Sequence, residues 1–185
     1  QLGLMSAGMA GFGIVFDKKT GVLERMRVTP ASRLALLLGR VLTNVVTLVV
    51  QTVLLVVVGW VLGLRAPVLG LLAGLALIVV LGTSLAALSY AIALTMNEQL
   101  FPPVMSTAVL PLALLSGSFL PMSMAPGWLD ALSYVSPFRY AVEALRDLFA
   151  GHYLTGTVLA GVVVTVVFAV AGLAVGTRVF NRQAA

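Results

Sequence analysis

Few residues in this chain could do polar chemistry, and they fall into separate groups. Asn44, Thr47 and Gln51 interrupt a long apolar run at i, i+3 and i+7, a spacing that puts them on one helical face within roughly 60°. In the next run, Thr83 and Tyr90 share a face with Asn97. Uncharged amides and hydroxyls at membrane depth either hydrogen-bond across a helix interface or line a transport path, and both readings stand for these two faces. The charged group is different. Arg139, Glu143 and Arg146 offer pairs of opposite sign at i, i+4 and i, i+3 within an amphipathic stretch that also holds Pro126, Trp128, Pro137 and Tyr140. Trp128, Leu129, Leu132 and Val135 recur at helical spacing, and after Pro137 so do Phe138, Ala141, Val142, Leu145, Leu148 and Phe149. Two short helices divided at Ser136-Pro137 are therefore expected, each with an apolar and a charged face. Such a pair is either an interfacial hairpin lying on a bilayer or a gate folded over the mouth of a translocation path.

No catalytic, cofactor-binding or metal-binding set can be assembled. His152 is the only histidine, beside Tyr153, with no acidic or second imidazole partner at ligand spacing. With no cysteine there is no thiol nucleophile, no disulfide framework and no thiolate metal site. No G-x-x-x-x-G-K-[ST] phosphate loop is present, so the chain is expected to be neither an enzyme nor an ATPase of that type. One further group could engage a partner. Between Gly21 and Pro30, Val22, Leu23 and Met26 fall on one side of a helix-sized piece, with Glu24, Arg25 and Arg27 around the remainder. It could dock its apolar side in a groove, its charges fixing register, or it could be a basic stop-transfer loop.

The elements that position these residues follow from composition. Of 185 residues 61% are hydrophobic and only 9% charged, more apolar surface than a soluble domain of this size can bury. An all-α, polytopic membrane protein is expected, with spans at about 1–16, 41–64, 68–96, 104–120 and 157–177, a polar loop over 17–33, an amphipathic segment over 121–155 and a polar tail from Arg178. At ~1.5 Å per residue the first run reaches only ~24 Å of a ~30 Å core, so it reads as the end of a span cut short. The pairs Gly59/Gly63, Gly70/Gly74 and Gly172/Gly176 fit the small-residue spacing that lets helices approach closely. The net charge of +5 is read as topology, not as a nucleic-acid surface. Eight of the eleven basic residues (Lys18, Lys19, Arg25, Arg27, Arg33, Arg40, Arg178 and Arg182) share one face if the spans alternate. The positive-inside bias makes that face cytoplasmic, with the C-terminus inside and 121–155 outside.

The run from Ser116 to Gly151, SGSFLPMSMAPGWLDALSYVSPFRYAVEALRDLFAG, resembles the signature region of type-2 ATP-binding-cassette exporter permeases, in particular daunorubicin-type drug-efflux permeases. The matching elements are Ser116-Gly117, Pro121, Pro126-Gly127-Trp128-Leu129, Ser136-Pro137, Tyr140 and Glu143-Ala144-Leu145-Arg146. Upstream, Gly21 to Glu24, Arg27, Pro30 and Ser32 resemble that family's cytoplasmic loop, and Asn97-Glu98-Gln99 its next one. The resemblance implies a single transmembrane domain of six spans, here lacking the first. It implies short re-entrant helices before the last span, and pairing with a second permease copy in the plasma membrane. It also implies two separate ATPase subunits, which would hold ATP and Mg, and a substrate of drug, lipid or glycan type. In that frame Val22, Leu23, Glu24, Arg25, Met26 and Arg27 form the ATPase-coupling loop, and Pro126 to Arg146 the outer gate. An ion-gradient-driven carrier would need an intramembrane acid or an inverted repeat, and neither is found. A non-transporting scaffold or sensor predicts that changes at Glu24 or Arg27 affect no ATPase.

Overall fold

A chain this apolar must satisfy its backbone within each segment, which in hydrocarbon leaves the α-helix. The computed structural model describes residues 2–19, 33–63, 65–97, 99–118 and 125–184, and every regular element among them is helical. In chain order these are α1 (Leu2–Gly8), α2 (Phe12–Lys19), α3 (Arg33–Val61), α4 (Val68–Thr95), α5 (Phe101–Leu115), α6 (Gly127–Ser133), α7 (Pro137–Phe149) and α8 (Gly156–Ala184). Three stretches are long and apolar enough to cross a membrane: Gly39–Val61, Val68–Thr95 and Gly156–Val179. They coincide with the expected spans 41–64, 68–96 and 157–177.

The two other expected spans look different. The run over 1–16 is divided between α1 and α2 by a turn at Met9, Ala10 and Gly11. The run over 104–120 begins earlier, at Phe101, because Pro102 and Pro103 need no amide partners in the first turn of α5. That helix is 15 residues long with Pro111 inside it, ~22 Å at ~1.5 Å per residue, less than a full hydrocarbon core. At the far end, α8 carries its helix straight through the expected polar tail to Ala184. Arginines are good helix formers, so a change in polarity does not end a helix. The basic loop with Val22 to Arg27 lies outside the described residues.

α4 is the hub. It packs against α1, α2, α3, α7 and α8, while α7 and α8 also pack on each other. One core cluster joins Ala7, Ile14 and Val15 to Ala86, Tyr90 and Ala93 of α4 and to Phe101 and Met105 of α5. A second joins Leu77 and Leu81 of α4 to Phe138, Ala141 and Ala144 of α7. Two of the small-residue pairs make these contacts. Gly70 lies under the Leu148 carbonyl and Gly74 under Leu145 and Phe149 of α7, while Gly172 and Gly176 of α8 lie against the Ser84 and Ala87 carbonyls of α4. An added Cβ at Gly70 would overlap the Leu148 oxygen, so the sequence spacing is used for backbone approach. Gly63 meets nothing across a helix interface. The outward faces stay apolar: α3 exposes Leu42, Val46, Val50, Leu54, Val57 and Val61 in a row, a surface that suits lipid.

Candidate functional site

The charged segment folds as its periodicity implies, into α6 and α7 meeting at Ser136-Pro137. Pro137 opens α7 at a position where its missing N–H costs nothing. The hairpin closes around Arg139, which is 9% exposed. Its guanidinium donates from Nη1 to Asp130 Oδ1 at 2.6 Å, to the Asp130 carbonyl at 3.1 Å and to Ser133 Oγ. From Nε it donates to Glu143 Oε1 at 3.0 Å, and its carbon lies 3.9 Å from the centre of the Tyr134 ring. Burial alone would lower the pKa of this group, but hydrogen bonds and charge from Glu143 and Asp130 outweigh it and raise the pKa, so Arg139 is a fixed cation. The planar fork suits this role, because it reaches two carboxylates on different helices at once. Tyr140 adds a bond from its hydroxyl to the Tyr134 carbonyl at 3.1 Å.

Two further contacts fix the hairpin to its neighbours. Arg146 donates from Nη2 to the Gly117 carbonyl at 2.7 Å, joining α7 to the chain leaving α5. Gly117 has φ +70°, a left-handed conformation that turns its carbonyl toward α7 and favours glycine. Asp147 accepts from Thr155 Oγ1 at 2.8 Å and from Thr157 Oγ1, bridging the end of α7 to the start of α8. The Thr157 and Thr155 bonds hold the Asp147 carboxyl below its ordinary pKa. Trp128, Tyr134 and Val135 remain exposed, an aromatic and apolar rim of the kind that sits at a bilayer interface.

The base of the hairpin reaches the interior. Phe138 stacks edge-on against Phe168 of α8, centroids 5.8 Å apart, and with Pro137 it walls one end of a cavity of about 260 Å³ between α1, α4, α5, α7 and α8. Leu85, Leu88, Val109 and Leu112 form its sides, and Gly8 and Ser89 stand in its wall beside the break between α1 and α2. The lining is almost wholly apolar, so hydrocarbon or aromatic matter is what it could hold.

The polar faces expected in the spans do not line this cavity. Asn44 is 8% exposed, its Nδ2 without a protein partner, and it points inward one turn from the fully buried Leu48. Thr47 is exposed, and its hydroxyl donates to the Thr43 carbonyl of its own helix at 2.8 Å. Gln51 is half-buried. Positions i and i+3 lie ~60° apart, enough to place Asn44 inside and Thr47 outside the narrow face that α3 buries. Thr83 is half-buried and donates within its own helix to the Val79 carbonyl at 2.6 Å, while Tyr90 is buried with its hydroxyl 3.4 Å from the Arg40 carbonyl. Sequence reasoning missed Ser89, whose signal is a hydroxyl residue within an apolar run opposite the glycines at 8 and 11. It also missed Ser133, three residues after Asp130 at a helix end.

A family model described as ABC-2 type transporter matches residues 2–150. The chain is 32% identical over 165 residues to the "Daunorubicin resistance ABC transporter permease protein" of Streptomyces coeruleorubidus, covering 86% of this chain and 58% of that protein. It is 28% identical over 138 residues to the "Probable doxorubicin resistance ABC transporter permease protein" of Mycobacterium tuberculosis, covering 73% of this chain and 50% of that one. The chain thus spans about half the length of these curated relatives. No solved structure matches it. With the family model covering most of the chain and the all-helical, membrane-length architecture in agreement, this chain belongs to the ABC-2 type transporter membrane family.

Proposed function

We propose that the chain is the membrane-spanning part of an ATP-binding-cassette exporter permease, moving a lipophilic or amphipathic substrate out of the cytoplasm with ATP and Mg held by separate ATPase subunits. Family membership over residues 2–150 carries this reading. The names of the relatives, which speak of daunorubicin and doxorubicin resistance, and the apolar cavity support a lipophilic substrate. Drug-sized ligands usually fill roughly 300–1,000 Å³. At about 260 Å³ the cavity accepts part of such a molecule, and the remainder would lie along neighbouring surface or a second permease copy. Residues 17–33 face the cytoplasm in this scheme, with Val22, Leu23 and Met26 seated on the ATPase and Glu24, Arg25 and Arg27 setting register. The α6–α7 hairpin lies on the opposite side as the outer gate, Arg139 holding it closed. Neither α3, α4 nor α8 carries a carboxylate, which disfavours coupling to an ion gradient through a buried acid.

The test uses the full-length protein co-purified with its ATPase subunits. Glu24→Ala/Arg27→Ala is expected to leave ATP hydrolysis by the ATPase intact while abolishing its stimulation by a transported anthracycline. If no ATPase subunit associates in any nucleotide state, the exporter reading is lost.

A further inference from the structure

The turn between α1 and α2 is a change of winding with a definite hydrogen-bond consequence. A continuous α-helix would send the Gly11 N–H to the Ala7 carbonyl and the Phe12 N–H to the Gly8 carbonyl. Here the Ala10 N–H takes the Ala7 carbonyl at 3.2 Å, and the Phe12, Gly13 and Ile14 amides each reach back only three residues, to Met9, Ala10 and Gly11. Among the groups this tightening frees are the Gly8 carbonyl and the Gly11 N–H. Both go to a single atom of another helix. Ser89 Oγ on α4 donates to the Gly8 carbonyl at 2.6 Å and accepts from the Gly11 N–H at 3.0 Å. Ser89 is 2% exposed, and its surroundings are apolar, where an unmet backbone group is costly. Gly11 allows the approach, since an added Cβ would sit 2.5 Å from Phe101 Cζ and 2.6 Å from the Ser89 carbonyl oxygen.

We propose that Ser89 is a positioning residue, the clasp of a hinge at Met9–Gly11 through which α2 turns relative to α1. The case rests on there being two states that each meet the Gly8 carbonyl and the Gly11 N–H. In the clasped state Ser89 meets the freed pair. In a continuous helix the Gly8 carbonyl and Gly11 N–H would be met within the helix, and the Ser89 hydroxyl would fall back on its own preceding turn, as Ser84 and Thr95 of the same helix do. The exchange replaces three-residue by four-residue bonds and so rotates α2 by roughly 20° per residue rewound. Both Gly8 and Ser89 stand in the cavity wall, so apolar matter filling the cavity bears on the clasp. α2 leads directly into the segment proposed to seat on the ATPase, and this part of the inference rests on the exporter reading.

The experiment compares Ser89→Ala with Ser84→Ala in the full-length protein in lipid nanodiscs, by amide hydrogen exchange and by ATP hydrolysis with its ATPase subunits. Ser84 is an internal control, equally buried on the same helix but bonded only to its own turn, at the Leu81 carbonyl. Ser89→Ala is expected to lower protection of amides 9–14 about tenfold and to change the ratio of anthracycline-stimulated to basal hydrolysis, with Ser84→Ala altering neither. Ser89→Cys, which keeps the volume and a weaker donor, should fall between, and it stands in if the alanine variant does not fold. Equal protection in the two alanine variants overturns the clasp. Lost protection with unchanged coupling overturns the hinge and leaves Ser89 a static bridge. Absence of any bound ATPase removes the exporter reading alone, because the exchange comparison still decides the clasp.

Discussion

Replacing Arg139 should open the α6–α7 hairpin, and the structure sets the size of the effect. The side chain is 10% exposed, while the carboxylates it joins, Asp130 and Glu143, are 36% and 34% exposed. A hydrogen bond to a charged group is worth about 1.5–3 kcal/mol, so the two carboxylate bonds are worth about 3–6 kcal/mol gross. Carboxylates a third open to water recover roughly half of that on losing their partner, leaving about 1.5–3 kcal/mol, and the Tyr134 face adds about 0.5 kcal/mol at an exposed site. Arg139→Ala is therefore expected to raise the open population by about 30–300-fold. Ser136 is the place to read it. It is 5% exposed, its hydroxyl has no protein partner, and this stretch of chain contains no cysteine, so Ser136→Cys adds a buried thiol at little structural cost. Where opening is fast relative to modification, maleimide labelling of that thiol follows the open population. Arg139→Lys keeps the charge but loses the fork, and should recover less than half of the protection in free-energy terms. A labelling rate within about threefold of the parent after Arg139→Ala would refute the idea that this guanidinium closes the hairpin.

Two other perturbations test the packing and the cap. Gly161→Ala would press a methyl into Ala144 and to within 2.7 Å of the Tyr140 carbonyl oxygen, a backbone atom that cannot swing aside; a loss of about 1–3 kcal/mol and a lower unfolding midpoint are expected. Gly156→Ala, with nothing within 4 Å of the added carbon, should leave the midpoint unchanged or raise it. The Asp147 bridge sets a pH dependence of definite sign. Its carboxyl pKa is lowered on folding, so its contribution is fully present above the ordinary carboxylate value of about 3.9 and is lost as pH falls through the lower folded value. Asp147→Asn should therefore flatten the acid limb of the unfolding midpoint below about pH 4 and change nothing in its slope between pH 5 and 8.

The parts of this fold that were legible in the sequence are those governed by one residue's own preference. Long runs of Val, Leu and Ala predicted α3, α4 and α8, and Ser136-Pro137 predicted the division between α6 and α7. Gly70, Gly74, Gly172 and Gly176 advertised close helix contact and make it. What was not legible depends on which residue of a second helix comes opposite. The seven residues from Gly8 to Ile14 are as apolar as their neighbours, and hydropathy says nothing of a break that only a hydroxyl 78 positions away makes tolerable. Likewise Asn44, Thr47 and Gln51 share a face by arithmetic, yet how much of that face is buried is set by α4 and α1, which leave Thr47 outside. The i, i+4 spacing predicted the Arg139–Glu143 pair, which forms, but the other carboxylate on Arg139, Asp130, is nine residues away across a turn, beyond any helical spacing.

These contacts also say where the molecule can move. α4 is joined to α7 and α8 through glycines seated on carbonyl groups, at Gly70, Gly172 and Gly176, and such backbone-to-backbone faces cannot slide without overlap. To α3 it presents Gly82 beneath the Leu48 side chain, a knob in a small hole. The junction with the α1–α2 break is of another kind, because side-chain hydroxyl bonds there replace bonds the backbone could make for itself. A rigid hub with one exchangeable contact concentrates motion at that contact. The α7–α8 pair, fixed to α4 and to each other, holds the base of the hairpin, and Gly8, at the break, stands in the wall of the cavity that Phe138 also lines.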